Sequence, residues 1–313
     1  AYYGHLEILK WARDNGAPFR NVVSSYAAER GHFNVLKWLI ENGVPWDTWI
    51  CATAAKNGHF EILKWLTVNG APLDIYVCKE LSDRGHLEML KWAYDNGAPL
   101  CVNVCKNASK NGNLEILKWV KEVEFPWKKS VYFDAVKNGR LNVMKWALEN
   151  GDPWDNRIIP VAIKYGQLEI LKWIKEIKKP WTEHVCNDAA YSGSLDILKW
   201  ARENGAPWDE KVCNYASLKG NLEILKWAVE NGAPMDGWIC KNAAREGHLD
   251  ILKWIFEKGF PLDKNVSCYA SCGGHIEILK WLLEVGNNFQ KCINTHACNI
   301  DTLNWLKENG SLE

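Results

Sequence analysis

Eleven cysteines, eight histidines and nineteen tryptophans carry most of the chemistry this chain could do. Paired thiols form disulfides, thiols with imidazoles hold zinc, and indoles stack on other flat rings. Which of these is open depends on spacing. Cys51, Cys78, Cys105, Cys186, Cys213 and Cys240 recur at multiples of 27 residues, and so do His5, His32, His59, His86, His248 and His275. Two unrelated residue types that share one period mark an internal repeat, so the chemistry must be judged on the element that the repeat builds.

Glycine stands at 4, 31, 58, 85, 112, 139, 166, 193, 220, 247 and 274. A tryptophan follows seven residues after each, from Trp11 to Trp281, and a proline fourteen after in ten of the copies, from Pro18 to Pro261. A shortened copy comes last, with Cys298 in the glycine place and Trp305 in the tryptophan place. Residues 1–313 therefore read as a single array of eleven to twelve copies, with no room for a separate catalytic domain. Lys and Arg (38) balance Asp and Glu (38), and 47% of residues are apolar, which excludes a disordered chain. No apolar stretch approaches the roughly 18 residues needed to cross a bilayer.

One period, from His59 to Gly85, shows the elements. Phe60 to Leu66 places apolar residues at helical spacing and ends at Asn69-Gly70, a helix stop; we name this helix B. Ala71-Pro72-Leu73-Asp74 forms a turn in which Asp74 can cap the next helix. Helix A then runs from Ile75 to Arg84, burying Val77, Cys78 and Leu81, with Gly85 closing it. Two helices of about ten residues cannot bury their apolar faces alone, so successive copies must stack, and the predicted fold class is an all-α solenoid of helix-turn-helix repeats.

The string Ala54-Ala55-Lys56-Asn57-Gly58-His59-Phe60-Glu61-Ile62-Leu63, with Asn69-Gly70-Ala71 after it, resembles the second half of an ankyrin repeat. An ankyrin unit has about 33 residues, and the missing ones fall where the projecting β-hairpin would be. The array is similar to the short, Trp-rich ankyrin-like repeats of protists and large DNA viruses. That resemblance implies protein recognition, with the two positions before the glycine among the contact residues.

The period then limits each chemistry. Neighbouring cysteines in one column should lie about 10 Å apart, beyond the roughly 7 Å that a disulfide spans, so they read as reduced core residues. The same distance separates the histidines, which are expected to bond local backbone at the start of helix B. Cys268, Cys272, Cys292, His296 and Cys298 form the one cluster that could hold a metal; lacking any C-x-x-C pair, it is expected to hold none, and no cofactor is expected. Twelve tryptophans form the helix-B column and five more follow the turn proline, both read as packing. Trp49 and Trp238 fall instead in a column otherwise filled by Tyr76, Asn103, Arg157, His184 and Lys211, which stacking does not dictate. No nucleophile elbow, P-loop, dinucleotide fingerprint or H-E-x-x-H occurs, so no enzyme is expected.

The free columns of helix A sit nine, five, two and one residues before the glycine, the first three on one helical face. Along the chain these three supply Trp49, Thr53 and Lys56; Tyr76, Glu80 and Asp83; Asn103, Asn107 and Lys110; Arg157, Val161 and Lys164; His184, Asp188 and Tyr191; Lys211, Tyr215 and Leu218; and Trp238, Asn242 and Arg245. A varied face beside uniform core columns points to a protein-binding scaffold. The alternative is a nucleic-acid reader, since residues 118–180 hold 13 Lys and Arg against 8 Asp and Glu, with Lys128, Lys129, Lys137, Arg157 and Lys164 as its phosphate contacts. The array is expected to be monomeric and, with so many unpaired thiols, intracellular, either cytoplasmic or nuclear. Glu124 and Lys178 replace the glycine that ends helix B, and Pro160 lies inside its helix A, which is expected to begin late, near Ile159 or Pro160.

Overall fold

The computed structural model describes residues 1–126, 130–151, 153–179, 184–263, 265–286, 301–302 and 304–305. The chain forms two compact units, Ala1–Asp155 and Asn156–Glu313. The first contains α1 (Leu6–Asp14), α2 (Asn21–Glu29), α3 (Phe33–Glu41), α4 (Ile50–Lys56), α5 (Phe60–Val68), α6 (Ile75–Arg84), α7 (Leu87–Asp95), α8 (Val102–Asn111), α9 (Leu114–Glu122), α10 (Ser130–Lys137) and α11 (Leu141–Glu149). The second contains α12 (Ile158–Lys164), α13 (Leu168–Glu176), α14 (Val185–Ser192), α15 (Leu195–Glu203), α16 (Lys211–Leu218), α17 (Leu222–Glu230), α18 (Trp238–Glu246), α19 (Leu249–Glu257), α20 (Val266–Gly273) and α21 (Ile276–Glu284). Even-numbered helices are A helices and odd-numbered ones B helices. No strand occurs among the described residues, and each unit is an α-solenoid.

Within each unit the A helices pack on one another in sequence, α2 to α10 and α12 to α20, and each packs on the B helix of its own repeat. The buried columns explain the stacking. Helix A buries the residues eight, seven, four and three before the glycine, as Ile50, Cys51, Ala54 and Ala55 do in α4. The residue four before is alanine or, at Leu81, leucine, and small side chains there let the A helices approach closely. Helix B buries Ile62, Leu63 and Leu66 in α5, each worth about 1.5–3 kcal/mol on burial.

The tryptophan column is less deep than its regularity implies. Trp119, Trp146, Trp173, Trp254 and Trp281 are buried, whereas Trp38, Trp65, Trp92, Trp200 and Trp227 are half-buried and Trp11 is 67% exposed. These indoles lie at the rim of the core and meet rings of the preceding repeat edge to face, as Phe33 meets Trp65 at 5.8 Å and Phe60 meets Trp92 at 5.5 Å.

Polar columns fix the helix ends. The Asn42, Asn69, Asn96, Asn150, Asn204 and Asn231 side chains each donate to the carbonyl of their own repeat's tryptophan at 2.7–2.8 Å, closing helix B. Asp74 caps α6, accepting from the Tyr76 and Val77 N–H groups. Glu124 and Lys178 adopt left-handed backbone, φ 53° and 54°, in the place that glycine fills elsewhere. Pro160 departs from expectation: α12 begins at Ile158, no later than the corresponding residue Ile50 in α4. The proline is the third residue of the helix, within the first turn, where a backbone N–H has no intrahelical acceptor and its loss costs nothing.

The histidines also depart from expectation. His59 Nε2 lies 3.0 Å from the carbonyl oxygen of Glu29, and His275 Nε2 lies 2.9 Å from that of Arg245; His32 and His248 make the same bond to Tyr2 and Leu218. Each reaches the end of helix A in the preceding repeat rather than local backbone. A β-carbon on Gly31 would stand 2.6 Å from the His59 ring, so this glycine is needed for its φ of 76° and for space. Gly43 has nearly the same φ, 77°, with nothing within 4 Å.

This contrast separates backbone strain from interlocking. Gly43→Ala should cost about 1–2 kcal/mol in chemical denaturation, and Gly31→Ala about 1–3 kcal/mol more. Adding His59→Ala to Gly31→Ala should recover much of that excess, and equal losses at the two glycines would refute the interlock. Likewise Trp146→Ala should cost about 3–5 kcal/mol and Trp11→Ala less than about 0.5 kcal/mol.

Candidate functional site: the exposed face of the A helices

In the first unit the face is built around two rings. Asp47 Oδ1 accepts the Trp49 N–H at 3.1 Å, and Asp74 Oδ1 accepts that of Tyr76 at 3.0 Å, so each aspartate orients an aromatic at the start of an A helix. The rings of Trp49 and Tyr76 lie 4.3 Å apart and are 49% and 37% exposed. Exposed Val22, Tyr26, Ile75 and Val102 occupy the same or adjoining columns. Lys56 and Asn103 are exposed, while Thr53 is half-buried. Glu80 is half-buried and paired with Lys79 at 2.7 Å, a hydrogen bond that raises the lysine above its ordinary pKa.

In the second unit Arg157, Lys164, His184, Tyr191, Lys211, Trp238 and Arg245 are exposed and Tyr215 and Asn242 half-buried. Trp238 is oriented by Asp236, whose Oδ1 accepts its N–H at 2.9 Å, and Lys241 Nζ sits 3.7 Å from the ring centre. Tyr191 meets Tyr215 edge to face at 5.5 Å, and Lys219 Nζ lies 4.2 Å from the Tyr191 ring. Lys211 pairs with Asp209 at 3.3 Å, and Asn242 donates to the Asn214 carbonyl at 3.2 Å. Asn242 thus holds two repeats together, as Asn107 and Asn111 do by bonding the Lys79 and Asp83 carbonyls.

An open groove of about 520 Å³ crosses this face, lined by Pro160, Lys164, Asp188, Tyr191, Ser192 and Lys219. Lys164, Asp188 and Tyr191 were marked by column, as was Lys219 by its place just before the repeat glycine; Pro160 was read only as a helix irregularity. Burial lifts the Asp188 carboxyl above its ordinary pKa, with His184 opposing the rise.

The cysteine column has the chemistry of a core. Burial pushes the thiols of Cys51, Cys78 and Cys213 up to about 12 and those of Cys105 and Cys186 to about 11; Cys240 is also raised. Cys78 and Cys186 direct their thiols at the Ala98 and Ala206 carbonyls, 3.9 Å away. Among the described residues no cluster of three or more His, Cys, Asp or Glu could hold a metal; Cys292, His296 and Cys298 lie outside them, as do Lys128 and Lys129. No described helix is long and apolar enough to cross a membrane. On the B helices, Glu61–Lys64, Glu115–Lys118 and Glu169–Lys172 form ion pairs of 2.7–3.0 Å, a charge-balanced surface.

A thiol whose folded pKa exceeds its unfolded value of 9.0 leaves stability intact below pH 9 and weakens it as pH climbs toward 12, because only the unfolded chain can ionise. Melting temperature should therefore hold constant to about pH 9 and fall steeply above it. The six column thiols should resist a thiol reagent at pH 8 until denaturant is added, and rapid labelling of the native chain would contradict their burial.

Comparison with known proteins bears on the repeat. The family model described as ankyrin repeats (many copies) matches residues 24–67 and 186–229. The crystal structure of the human ASB11 ankyrin repeat domain is similar at 19% sequence identity with a TM-score of 0.29, covering 59% of this chain and 84% of that one. The crystal structure of the pentatricopeptide repeat protein PPR10 in complex with an 18-nt psaJ RNA element shows 12% identity and a TM-score of 0.42, covering 99% of this chain and 57% of that chain. No curated protein sequence matches. The repeat glycines and the stacked helix pairs agree with the two matched segments, 24–67 and 186–229, in which the chain is similar to ankyrin repeats.

Proposed function

We propose that the chain is a non-enzymatic, monomeric, intracellular scaffold that binds a protein partner through the exposed face of its A helices. One observation carries this reading. On a chain whose other large apolar columns are mostly buried or half-buried, Trp49, Tyr76, Tyr191 and Trp238 remain between 37% and 54% exposed, all on that face. Large aromatics presented to water by rigid helices are the residues in which protein interfaces concentrate their energy. Their neighbours Lys56, Asn103, Arg157, Lys164, His184, Lys211, Tyr215 and Arg245 differ from copy to copy, so adjacent repeats can read different side chains of one partner. Thr53, Glu80 and Asn242 contribute less, being half-buried or engaged within the array.

The test begins with affinity capture by the full chain, identification of the recovered partner, and titration with purified components. Trp49→Ala and Trp238→Ala should each weaken binding about thirtyfold, the scale of an interface hot spot, while helical content and melting stay unchanged. Partners that withstand both substitutions would refute this face. Recovery of RNA, with affinity falling steeply in salt and abolished by substitution of Lys137, Arg157 and Lys164, would establish the nucleic-acid alternative instead.

A further inference from the structure

The groove between α12, α14 and α16 differs from the rest of the face in how its charges are met. Most lysines on the B helices have a glutamate one turn away, but Lys164 and Lys219 have no carboxylate within ion-pairing distance among the described residues. Lys219 rests over the Tyr191 ring at 4.2 Å, and Lys164 reaches toward Tyr165 at 5.9 Å. Across α12, α14, α16 and α18 with their N- and C-caps, Arg157, Lys164, Lys211, Lys219, Lys241 and Arg245 outnumber Asp188, Glu210 and Glu246. The face of this unit is positive where its B-helix side is balanced.

Pro160 gives the groove an apolar wall. Six residues before the glycine several copies carry a polar side chain, such as Lys79, Lys106, Asn214 and Lys241. In α12 that place holds an apolar ring, which lines the groove with Tyr191.

Resting on the scaffold reading above, we propose that this groove binds an acidic, extended segment of the partner protein, with carboxylates on Lys164 and Lys219 and an apolar side chain against Tyr191 and Pro160. Asp188, at the groove wall, accepts a backbone N–H of the bound segment. The Asp188 carboxylate in the groove wall favours a polypeptide over a nucleic acid, because it repels a backbone that carries a charge at every phosphate, whereas an extended peptide presents an N–H to it at nearly every residue.

The experiment selects short random peptides on the immobilised full chain and measures the enriched peptides, alongside oligouridine, against variants by fluorescence anisotropy. The enriched peptides should carry Asp or Glu on both sides of an apolar residue. Lys164→Glu and Lys219→Glu should each weaken them about tenfold or more, the worth of one charge-assisted hydrogen bond. Lys253→Glu, the same charge change on a B helix, should leave binding unaltered, and all three variants should melt as the parent does, since these side chains are surface groups. Peptides without acidic bias, or indifferent to both reversals in the groove yet lost in Trp49→Ala or Trp238→Ala, would overturn the groove while leaving the scaffold reading intact. Failure to enrich any peptide, whether or not oligouridine binds, would overturn both.

Discussion

Helices of seven to ten residues do not persist in water on their own hydrogen bonds, because nucleation costs more than so short a run returns. Every helix here is of that length, so each depends on apolar surface shared with its neighbours. That dependence explains the repeated columns: Ile50, Cys51, Ala54 and Ala55 in α4 have apolar or small counterparts in the other A helices of the same unit, with Tyr132 and Leu81 the largest. It also explains why a histidine reaches back thirty residues to a carbonyl of the previous copy. Within each unit the main helix contacts run between neighbouring copies, so loop-closure entropy stays small and folding needs little distant pairing.

The two sides of the repeat use charge differently. On the B helices, glutamate and lysine one turn apart neutralise each other in water, contributing little stability individually but leaving no field to attract a partner. On the A helices the polar residues divide. Asn107, Asn111 and Asn242 spend their donors on the neighbouring helix, and Asp47, Asp74 and Asp236 spend their carboxylates on N–H groups at helix starts. What is left over is aromatic and cationic. The proposed recognition surface therefore lies where capping and stacking leave side chains unused.

The period alone made most of this legible. It located α6 to the residue, named Asp74 as its cap, and put Cys51, Cys78 and Cys105 in a reduced core, because a column repeated at 27 residues must serve one structural role. It overstated the depth of the tryptophans, since an invariant residue at a rim has the same spacing as one at the centre. It assigned the histidines to the wrong partner because a one-dimensional pattern does not show how far a ring reaches across a repeat boundary. The groove was invisible for a related reason: it brings Pro160 and Lys164 together in space with Tyr191 and Lys219 from the next two copies.

The glycine–histidine interlock has a bearing on how such a chain can change length. Gly31 makes room for His59, and Gly247 makes room for His275, at the same offset of 28 residues. A gain or loss of one whole repeat within a unit preserves that offset everywhere, whereas a gain or loss of a few residues breaks it at one joint and strands the groups on both sides. Misaligned recombination between gene segments that encode neighbouring copies yields changes of the first kind. The geometry of a single joint thus makes duplication the tolerated route of growth, and lets the recognition face be shuffled copy by copy while the core is inherited intact.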